Sequence, residues 1–344
     1  MSDPNALDQA ALAPYLEALV PGFRELLGIE KFKSGQSNPT YLLTARSGRY
    51  VLRAKPPGQL LKSAHQVDRE YRVMRALAAT AVPVPRVLHL SDEGSPIGRM
   101  FYVMDFVEGR IFWDPALPQA SGNAERAAVY DAMNATLAAL HAVDVEAAGL
   151  GGFGRPGSYF ERQLARWTSQ YRASETGAVA DMDRLIAWLE ANMPADDGRV
   201  SLAHGDYRLD NLIFAAEEPR IVAVLDWELS TLGHSFADLA YQCMQWRLPH
   251  SSGFRGLGGI DRAALGLPSE EDYVAAYCRR RGLSGIGGWT FFLAFSFFRL
   301  AAICQGVYRR ALDGNASNPE RAQTYGEAVT LLSGLACNLI DEAA

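Results

Sequence analysis

Three oxygen-bearing side chains stand close together in the segments LAHGDYRLDNLIF, residues 202–214, and VLDWE, residues 224–228. Asp206 and Asn211 are five positions apart, and Asp226 follows an apolar run. Transfer of a phosphoryl group from Mg-ATP needs one carboxylate that accepts the proton of the attacking hydroxyl. It also needs an amide and a second carboxylate that hold the metal on the phosphates. The spacing HGD-x4-N followed by a further aspartate therefore predicts phosphoryl transfer.

The same residues have an alternative interpretation as polar caps in the turns of an ordinary β-hairpin. The HGD triplet alone does not decide between the two, because short motifs occur by chance. The whole set favours phosphoryl transfer. Three residues that could act as a base or as metal ligands occur at the spacing that this reaction needs, between apolar runs rich in β-branched residues. Protein kinases carry the same spacing as HRD-x4-N followed by DFG.

Composition and charge narrow the class of protein. The chain has 344 residues, 49% of them hydrophobic, with a net charge of −6 and a pI near 5.6. This length predicts roughly two domains, and the acidic balance argues against nucleic-acid binding. The four cysteines lie far apart, as expected for reduced, buried thiols, and the N-terminus lacks the basic start of a signal peptide. We therefore expect a cytoplasmic enzyme.

One apolar run, residues 291–307, has the composition of a membrane span. It is slightly short for a bilayer crossing, and Arg299 and Gln305 interrupt it. A helix buried in a large globular lobe explains the run better, so we expect no membrane partner.

Residues 1–106 are predicted to form a nucleotide-binding lobe. Apolar spacing predicts helices over residues 6–20 and 64–79. Runs of β-branched and aromatic residues predict five antiparallel strands, at 29–33, 40–45 and 49–54 and in RVLHL and RMFYVM. A hinge follows at residues 105–109.

Residues 107–344 are predicted to form a mostly helical lobe for catalysis and acceptor binding. Helices are expected at 122–143, 158–172, 180–193, 270–282, 288–311 and 320–340, and the motif falls in a hairpin region at 200–225. A strand-rich lobe followed by a helical lobe is an α+β arrangement, and it predicts a bilobal, protein-kinase-like fold.

Several stretches resemble the aminoglycoside phosphotransferase/choline kinase superfamily of small-molecule kinases. They are SGQSNPTYLL, YVLRAKPPG, LLKSAHQVDREYRVMRAL, HGDYRLDNLIF, VLDWELSTLG and FRLAAICQGVYRRALDGNA. Within that superfamily, the chain looks closest to the phosphotransferase domains that are fused to acyl-CoA dehydrogenases in some animals. The resemblance covers nearly the whole chain. It implies ATP and Mg²⁺ as cofactors and a small-molecule hydroxyl as the acceptor.

The resemblance and the chemistry assign the central residues in the same way. Asp206 is the candidate base that accepts the proton of the acceptor hydroxyl. Asn211 and Asp226 are the candidate ligands of Mg²⁺, an ion that prefers oxygen donors.

Two further residues near the motif have more than one interpretation. Arg208 could neutralise charge on the transferring phosphoryl group, or it could form a salt bridge with Asp210 or Glu228. Asp238 resembles the superfamily's aspartate that braces the catalytic loop, and a helix N-cap is the alternative.

The nucleotide-binding loop and the hinge give weaker signals. Ser34, Gly35 and Ser37 in SGQSN could cover phosphates, although this loop has one glycine and would also suit an ordinary hairpin turn. Asp105 and Val107 fall in the hinge MDFVEG, where backbone groups would receive the adenine.

Arg53 occupies the strand position at which protein kinases carry their phosphate-binding lysine. An arginine is permanently charged and can grip phosphates bidentately, so the role can be retained. Lys55 is the alternative anchor, if the strand continues that far. Glu70 is the expected ion-pair partner of Arg53, although it could instead be a solvated helix charge beside Arg69 or Arg75.

The charge of residues 245–311 bears on the acceptor. This segment has nine arginines, no lysine and four acids, a net +5 in a chain of net −6. The arginines could be solvated helix faces or braces of the core. They could also form an anion site that suits a hydroxyacyl-CoA better than a polycationic aminoglycoside. Other hypotheses are a catalytically weak nucleotide sensor that regulates an acyl-CoA enzyme, and transfer of AMP to a protein.

Overall fold

The computed structural model describes residues 7–32, 38–58, 65–314 and 322–343. They form two compact units that interleave along the chain. The first unit runs to Ile111 and also includes residues 146–150 and 210–230, and the second unit has the remainder. The division predicted from sequence, 1–106 and 107–344, treats each lobe as continuous. The units differ from it because segment 210–230 hydrogen-bonds to the earlier chain, with Phe214 N on Arg110 O at 2.8 Å.

The first unit is built on a five-stranded antiparallel sheet, which confirms the predicted architecture. Its strands are β1 (Leu26–Lys31), β2 (Thr40–Ala45), β3 (Gly48–Ala54), β4 (Val87–Leu90) and β5 (Phe101–Asp105), in the order β1-β2-β3-β5-β4. Strand β1 begins earlier than predicted, because Leu26 is buried and pairs with Ala45 across a register shift.

Two helices of the first unit, α1 (Gln9–Leu19) and α2 (Val67–Leu77), flank this sheet. The Asp8 side chain caps α1 by accepting from the amides of Ala10 and Ala11. Leu52 and Ala54 of β3 pack in the core that includes α1. Because side chains alternate along a strand, Arg53 between them faces the other side of the sheet.

Segment 210–230 adds a second sheet to the first unit. Strands β7 (Leu212–Phe214) and β8 (Ile221–Val224) form an antiparallel hairpin, and a short helical turn, Trp227–Leu229, follows. The hairpin is anchored at its far end, where Val224 N donates to Pro83 O at 2.9 Å.

The second unit is mostly helical, as predicted. Its helices are α3 (Asn123–His141), α4 (Tyr159–Ser174), α5 (Ala180–Ala191), α6 (Ser235–Cys243), α7 (Glu270–Arg281), α8 (Trp289–Leu312) and α9 (Ala322–Glu342). The hairpin region predicted at 200–225 contains one hairpin, β7–β8, but its first strand pairs elsewhere. Strand β6 (Ser201–Ala203) pairs with the later strand β9 (Thr231–Gly233), and β7 pairs with β8.

Helix α8 contains the apolar run noted in the sequence. Within the part of the chain that the structure describes, it alone is long and apolar enough to cross a membrane by length and composition. Most of that stretch, 72%, is buried inside the protein. Phe291, Phe292 and Phe295 pack around Phe160 of α4, so these aromatic side chains form core.

Candidate active site

The HGD triplet forms a loop at the end of β6, and helix α6 holds its backbone. Asp238 accepts hydrogen bonds from the amides of His204, at 2.6 Å, and Gly205, at 2.8 Å. The N-cap of α6 is His234, whose side chain accepts from the amide of Phe236. Asp238 therefore braces this loop, as the resemblance implies, and the interpretation of Asp238 as a helix cap is wrong.

The Asp238 carboxylate that braces the loop is itself buried and charged. Asp238 is 1% exposed and lies 3.2 Å from Nε2 of the buried His141. Burial by itself raises the pKa of Asp238, but hydrogen bonding and charge from His141 and the loop amides outweigh it and lower the pKa. Asp238 therefore stays an anion that can accept from both loop amides.

The candidate base, Asp206, is held through one carboxylate oxygen. The Tyr241 hydroxyl donates to Asp206 Oδ1 at 2.8 Å, and Arg208 Nε lies 3.3 Å from the same atom. One ion pair of Arg208 is thus with the base itself, a partner that was not considered from sequence. Tyr241 was missed by sequence reasoning. Its position one helical turn after Asp238 was the available signal.

Arg299 of α8 supports the same loop through one of the loop's backbone carbonyls. The buried guanidinium donates to Gly205 O at 2.8 Å and lies 5.6 Å from the Tyr241 ring and 5.8 Å from the Trp167 ring. This arginine was counted toward the anion site, and the structure gives it a bracing contact instead.

Four more of the nine arginines in 245–311 make contacts within the second unit. Arg247 pairs with Glu270, Arg280 with Asp131, and Arg309 with Asp313, while Arg262 donates to backbone carbonyls. These contacts favour the bracing interpretation for much of the positive charge in this segment.

The candidate metal ligands, Asn211 and Asp226, both lie in the first unit. Asn211 is buried at the end of a helical turn, and its carbonyl accepts from the amide of Leu225 at 2.8 Å. Asp226 adopts a left-handed backbone conformation with φ of 63°. Among the described residues, no cluster of three or more His, Cys, Asp or Glu could hold a metal. An amide and a carboxylate still suit Mg²⁺, which keeps several waters and uses few protein ligands.

Arg53 lies at the centre of a buried charge cluster in the first unit. Its guanidinium is 2.7 Å from Asp226 Oδ1, 2.9 Å from Glu70 Oε2 and 3.7 Å from Glu228 Oε2. Glu70 also accepts from the Tyr102 hydroxyl, at 3.0 Å, and from the Asn38 amide, at 2.8 Å. The expected Arg53–Glu70 ion pair is therefore present, and Glu70 is not a solvated helix charge.

Burial dominates the electrostatics of Glu70. The side chain is 1% exposed, and this burial raises the pKa of its carboxyl even though Arg53 and Tyr102 oppose the rise. Burial by itself would lower the pKa of Arg53, but its negative partners outweigh burial and raise that pKa. Arg53 and Glu70 therefore each favour the charged form of the other.

The other predicted nucleotide residues lie partly outside the described structure. Ser34, Gly35 and Ser37 lie outside the described residues. Strand β3 ends at Ala54, so it does not continue to Lys55, whose ammonium pairs with Glu93 at 3.0 Å. At the hinge, the Asp105 amide donates to Arg86 O within the sheet, and the half-buried Val107 follows the end of β5.

Comparison with known families and solved structures shows what the chain is similar to. The phosphotransferase enzyme family, APH, matches residues 28–279. A candidate aminoglycoside phosphotransferase of Ralstonia eutropha is 47% identical, with a TM-score of 0.88 over 98% of this chain and 99% of that one. A spectinomycin phosphotransferase solved with ADP and spectinomycin is 12% identical, with a TM-score of 0.65 over 97% of this chain and 99% of that one. At that identity, the likeness shows a shared fold alone.

Curated relatives are longer proteins. Acyl-CoA dehydrogenase family member 10 of Mus musculus is 47% identical over 336 residues, which are 96% of this chain and 31% of that protein. Acyl-CoA dehydrogenase family member 11 of Rattus norvegicus is 44% identical over 321 residues, 92% of this chain and 41% of that protein. The chain thus spans well under half the length of these relatives.

Proposed function

The chain belongs to the phosphotransferase enzyme family and is a small-molecule kinase, and we propose that it moves the γ-phosphate of ATP, with Mg²⁺, to the hydroxyl of an anionic alcohol such as a hydroxyacyl-CoA. The observation that carries this proposal is the HGD loop, in which the Asp206 carboxylate is anchored by Tyr241 and the backbone by Asp238. A carboxylate held in this way is suited to general-base catalysis.

In the proposed reaction, Asp206 orients the acceptor hydroxyl and accepts its proton as the hydroxyl oxygen attacks the γ-phosphorus. The bond that forms joins this oxygen to phosphorus, the bond that breaks joins phosphorus to the β,γ-bridging oxygen, and ADP leaves with the bond electrons. Arg208, next to Asp206 and half-exposed, offers a positive charge to the transferring group.

Asn211 and Asp226 are the residues that would hold Mg²⁺, which neutralises charge on the phosphates when bound. The ion pair between Arg53 and Asp226 supports the assignment of Asp226 as a metal ligand. It indicates that a positive charge is favoured beside this carboxylate. Arg53 is also the better candidate than Lys55 for the phosphate anchor, since Lys55 lies beyond the strand and pairs with Glu93. The spectinomycin phosphotransferase solved with ADP has the same fold, which supports ATP as the donor.

We expect Asp226→Ala to abolish the tightening of ATP binding by Mg²⁺, because the substitution removes a charged ligand that would link the metal to the phosphates. Asn211→Ala should have a milder effect, since it removes a neutral ligand. Calorimetric titration of ATP with and without Mg²⁺ measures both. If both variants kept the Mg²⁺ dependence of the native protein, the metal assignment would be wrong.

The acceptor class is a separate expectation. Aminoglycosides are polycations and need a pocket lined by carboxylates, whereas residues 245–311 carry net positive charge, although five of their nine arginines make bracing contacts. The relatives named as acyl-CoA dehydrogenase family members also favour a CoA-linked acceptor. We therefore expect ATP-dependent phosphorylation of a hydroxyacyl-CoA and negligible phosphorylation of kanamycin.

The measurement is mass spectrometry of the acceptor together with release of ADP, with 3-hydroxybutyryl-CoA, butyryl-CoA and kanamycin as parallel substrates. Butyryl-CoA is the matched control, because it lacks the hydroxyl that would accept the phosphate. Robust phosphorylation of kanamycin with no response to the hydroxyacyl-CoA would overturn the acceptor assignment. ATP binding without turnover on any alcohol would favour the nucleotide sensor, and release of AMP would favour adenylyl transfer.

A further inference from the structure

One face of helix α6 makes two kinds of contact with the HGD loop. Asp238 accepts from the backbone amides of His204 and Gly205, and Tyr241 donates to the side chain of Asp206 at 2.8 Å. Asp238 and Tyr241 are three residues apart, which places them on the same side of the helix. The same helix therefore fixes both the loop and its carboxylate.

We propose that Tyr241 is a positioning residue for the candidate base, and that its hydroxyl holds the Asp206 carboxylate in the orientation that proton acceptance requires. The proposal rests on the function proposed above, in which Asp206 is the base. It adds a residue that no sequence motif of the loop contains.

The surroundings of Tyr241 explain why it would act as a donor. Burial, and then the charge of Asp206, raise the pKa of the tyrosine far above its ordinary value, so the hydroxyl keeps its proton. The ring lies under the Arg299 guanidinium, which also holds Gly205 O, so the position of the ring is coupled to that of the loop. A donor fixed in this way holds the carboxylate that accepts from it in one orientation.

Other charged groups near Asp206 must be separated from this effect. Arg208 lies 3.3 Å from Asp206 Oδ1, and His204 Nδ1 accepts from the Asp206 amide at 3.2 Å. Asp238 and Arg299 contact the neighbouring loop backbone. All four groups remain when only the Tyr241 hydroxyl is removed.

The test is Tyr241→Phe, which deletes the hydroxyl and keeps the ring beneath Arg299. The matched control is Tyr130→Phe. Tyr130 is a buried tyrosine of the same unit whose hydroxyl donates to Pro115 O at 2.8 Å. We expect kcat/KM for 3-hydroxybutyryl-CoA, and for basal ATP hydrolysis, to fall about tenfold in Tyr241→Phe, the effect of one hydrogen bond to a charged group. The loss should lie in kcat, with the KM for ATP nearly unchanged, because Tyr241 contacts the base and not the nucleotide in the proposed mechanism. Tyr130→Phe should leave both unchanged.

A second readout does not depend on turnover. Carbon-13 NMR of labelled aspartate at one neutral pH, with the Asp206 carboxyl assigned by its loss in Asp206→Asn, reports the surroundings of this carboxylate directly. Its resonance should shift in Tyr241→Phe, which loses the hydrogen bond, and stay in place in Tyr130→Phe. An unmoved resonance in Tyr241→Phe would overturn the proposal, as would an equal loss of kcat in both variants. If the native protein shows no turnover that depends on Asp206, the proposed function fails, and the NMR resonance still decides the role of Tyr241.

Discussion

Asp206→Asn should lower turnover by roughly a hundredfold or more, because the amide keeps the size and polarity of the carboxylate but cannot accept the proton of the attacking hydroxyl. The Tyr241 hydroxyl can still donate to the amide oxygen at this position, so the loop should keep its conformation. ADP release under saturating ATP and acceptor measures the effect.

Two controls separate a catalytic effect from a structural one. ATP affinity should hardly change in Asp206→Asn, since Asp206 does not contact the nucleotide in the proposed mechanism. Asp131→Asn makes the same isosteric change in the second unit, at an exposed residue of α3 paired with Arg280, and should retain native turnover. Near-normal turnover in Asp206→Asn would mean that Asp206 is not the base.

The second large effect is expected at Arg53, where binding and folding are linked. Arg53→Met should destabilise the protein by about 3–5 kcal/mol, because it leaves the charge of Glu70 buried without its cation. It should also sharply raise the KM for ATP, since the proposed phosphate anchor is gone. Arg53→Lys should retain partial function, as a point charge replaces the guanidinium. Urea unfolding and ATP kinetics measure the two effects.

The pH dependence of the stability of Arg53→Met should show that the unpaired charge of Glu70 causes its instability. Burial raises the pKa of Glu70 in the folded state, and loss of Arg53 removes a group that lowers it. A carboxyl whose folded-state pKa is raised binds its proton more readily when folded, so stability increases as pH falls through that pKa. The deficit of Arg53→Met should therefore shrink from neutral to mildly acidic pH.

Two companion variants complete this test. Glu70→Gln added to Arg53→Met should recover part of the lost stability at neutral pH, because it removes the uncompensated charge. Lys55→Met should change stability by less than about 0.5 kcal/mol, since its pair with the largely exposed Glu93 is a surface contact. If Lys55→Met were the variant that raised the KM for ATP, the phosphate anchor would lie at Lys55.

The sequence predicted the arrangement of elements because that information is local. Alternating apolar residues in β2, and the helical spacing of apolar residues in α4, report which side of each element is buried. The spacing of Asp206, Asn211 and Asp226 is likewise written in two short segments of the chain. Fold class and candidate chemistry could therefore be inferred from the order of the residues alone.

Long-range pairing could not be predicted in the same way. Strand β6 pairs with β9, which comes later in the chain than the β7–β8 hairpin, although pairing between neighbouring strands was expected in this region. Three-residue strands carry too little pattern to identify their partners. For the same reason, the grouping of segment 210–230 with the first unit is visible only in its hydrogen bonds to Arg110 and Pro83.

The order of the residues is enough to identify the side chains that could carry the chemistry, but what holds those side chains is visible only in the folded structure. It showed that Tyr241 and Arg208 contact the base, that Arg299 braces the loop and that Arg53 joins Glu70 to Asp226. Residue type limits the reactions a side chain can perform, so a motif identifies candidates. Hydrogen bonds and ion pairs act over a few ångströms in space, however, and join residues as far apart in the chain as Arg53 and Asp226, so only the folded chain specifies them.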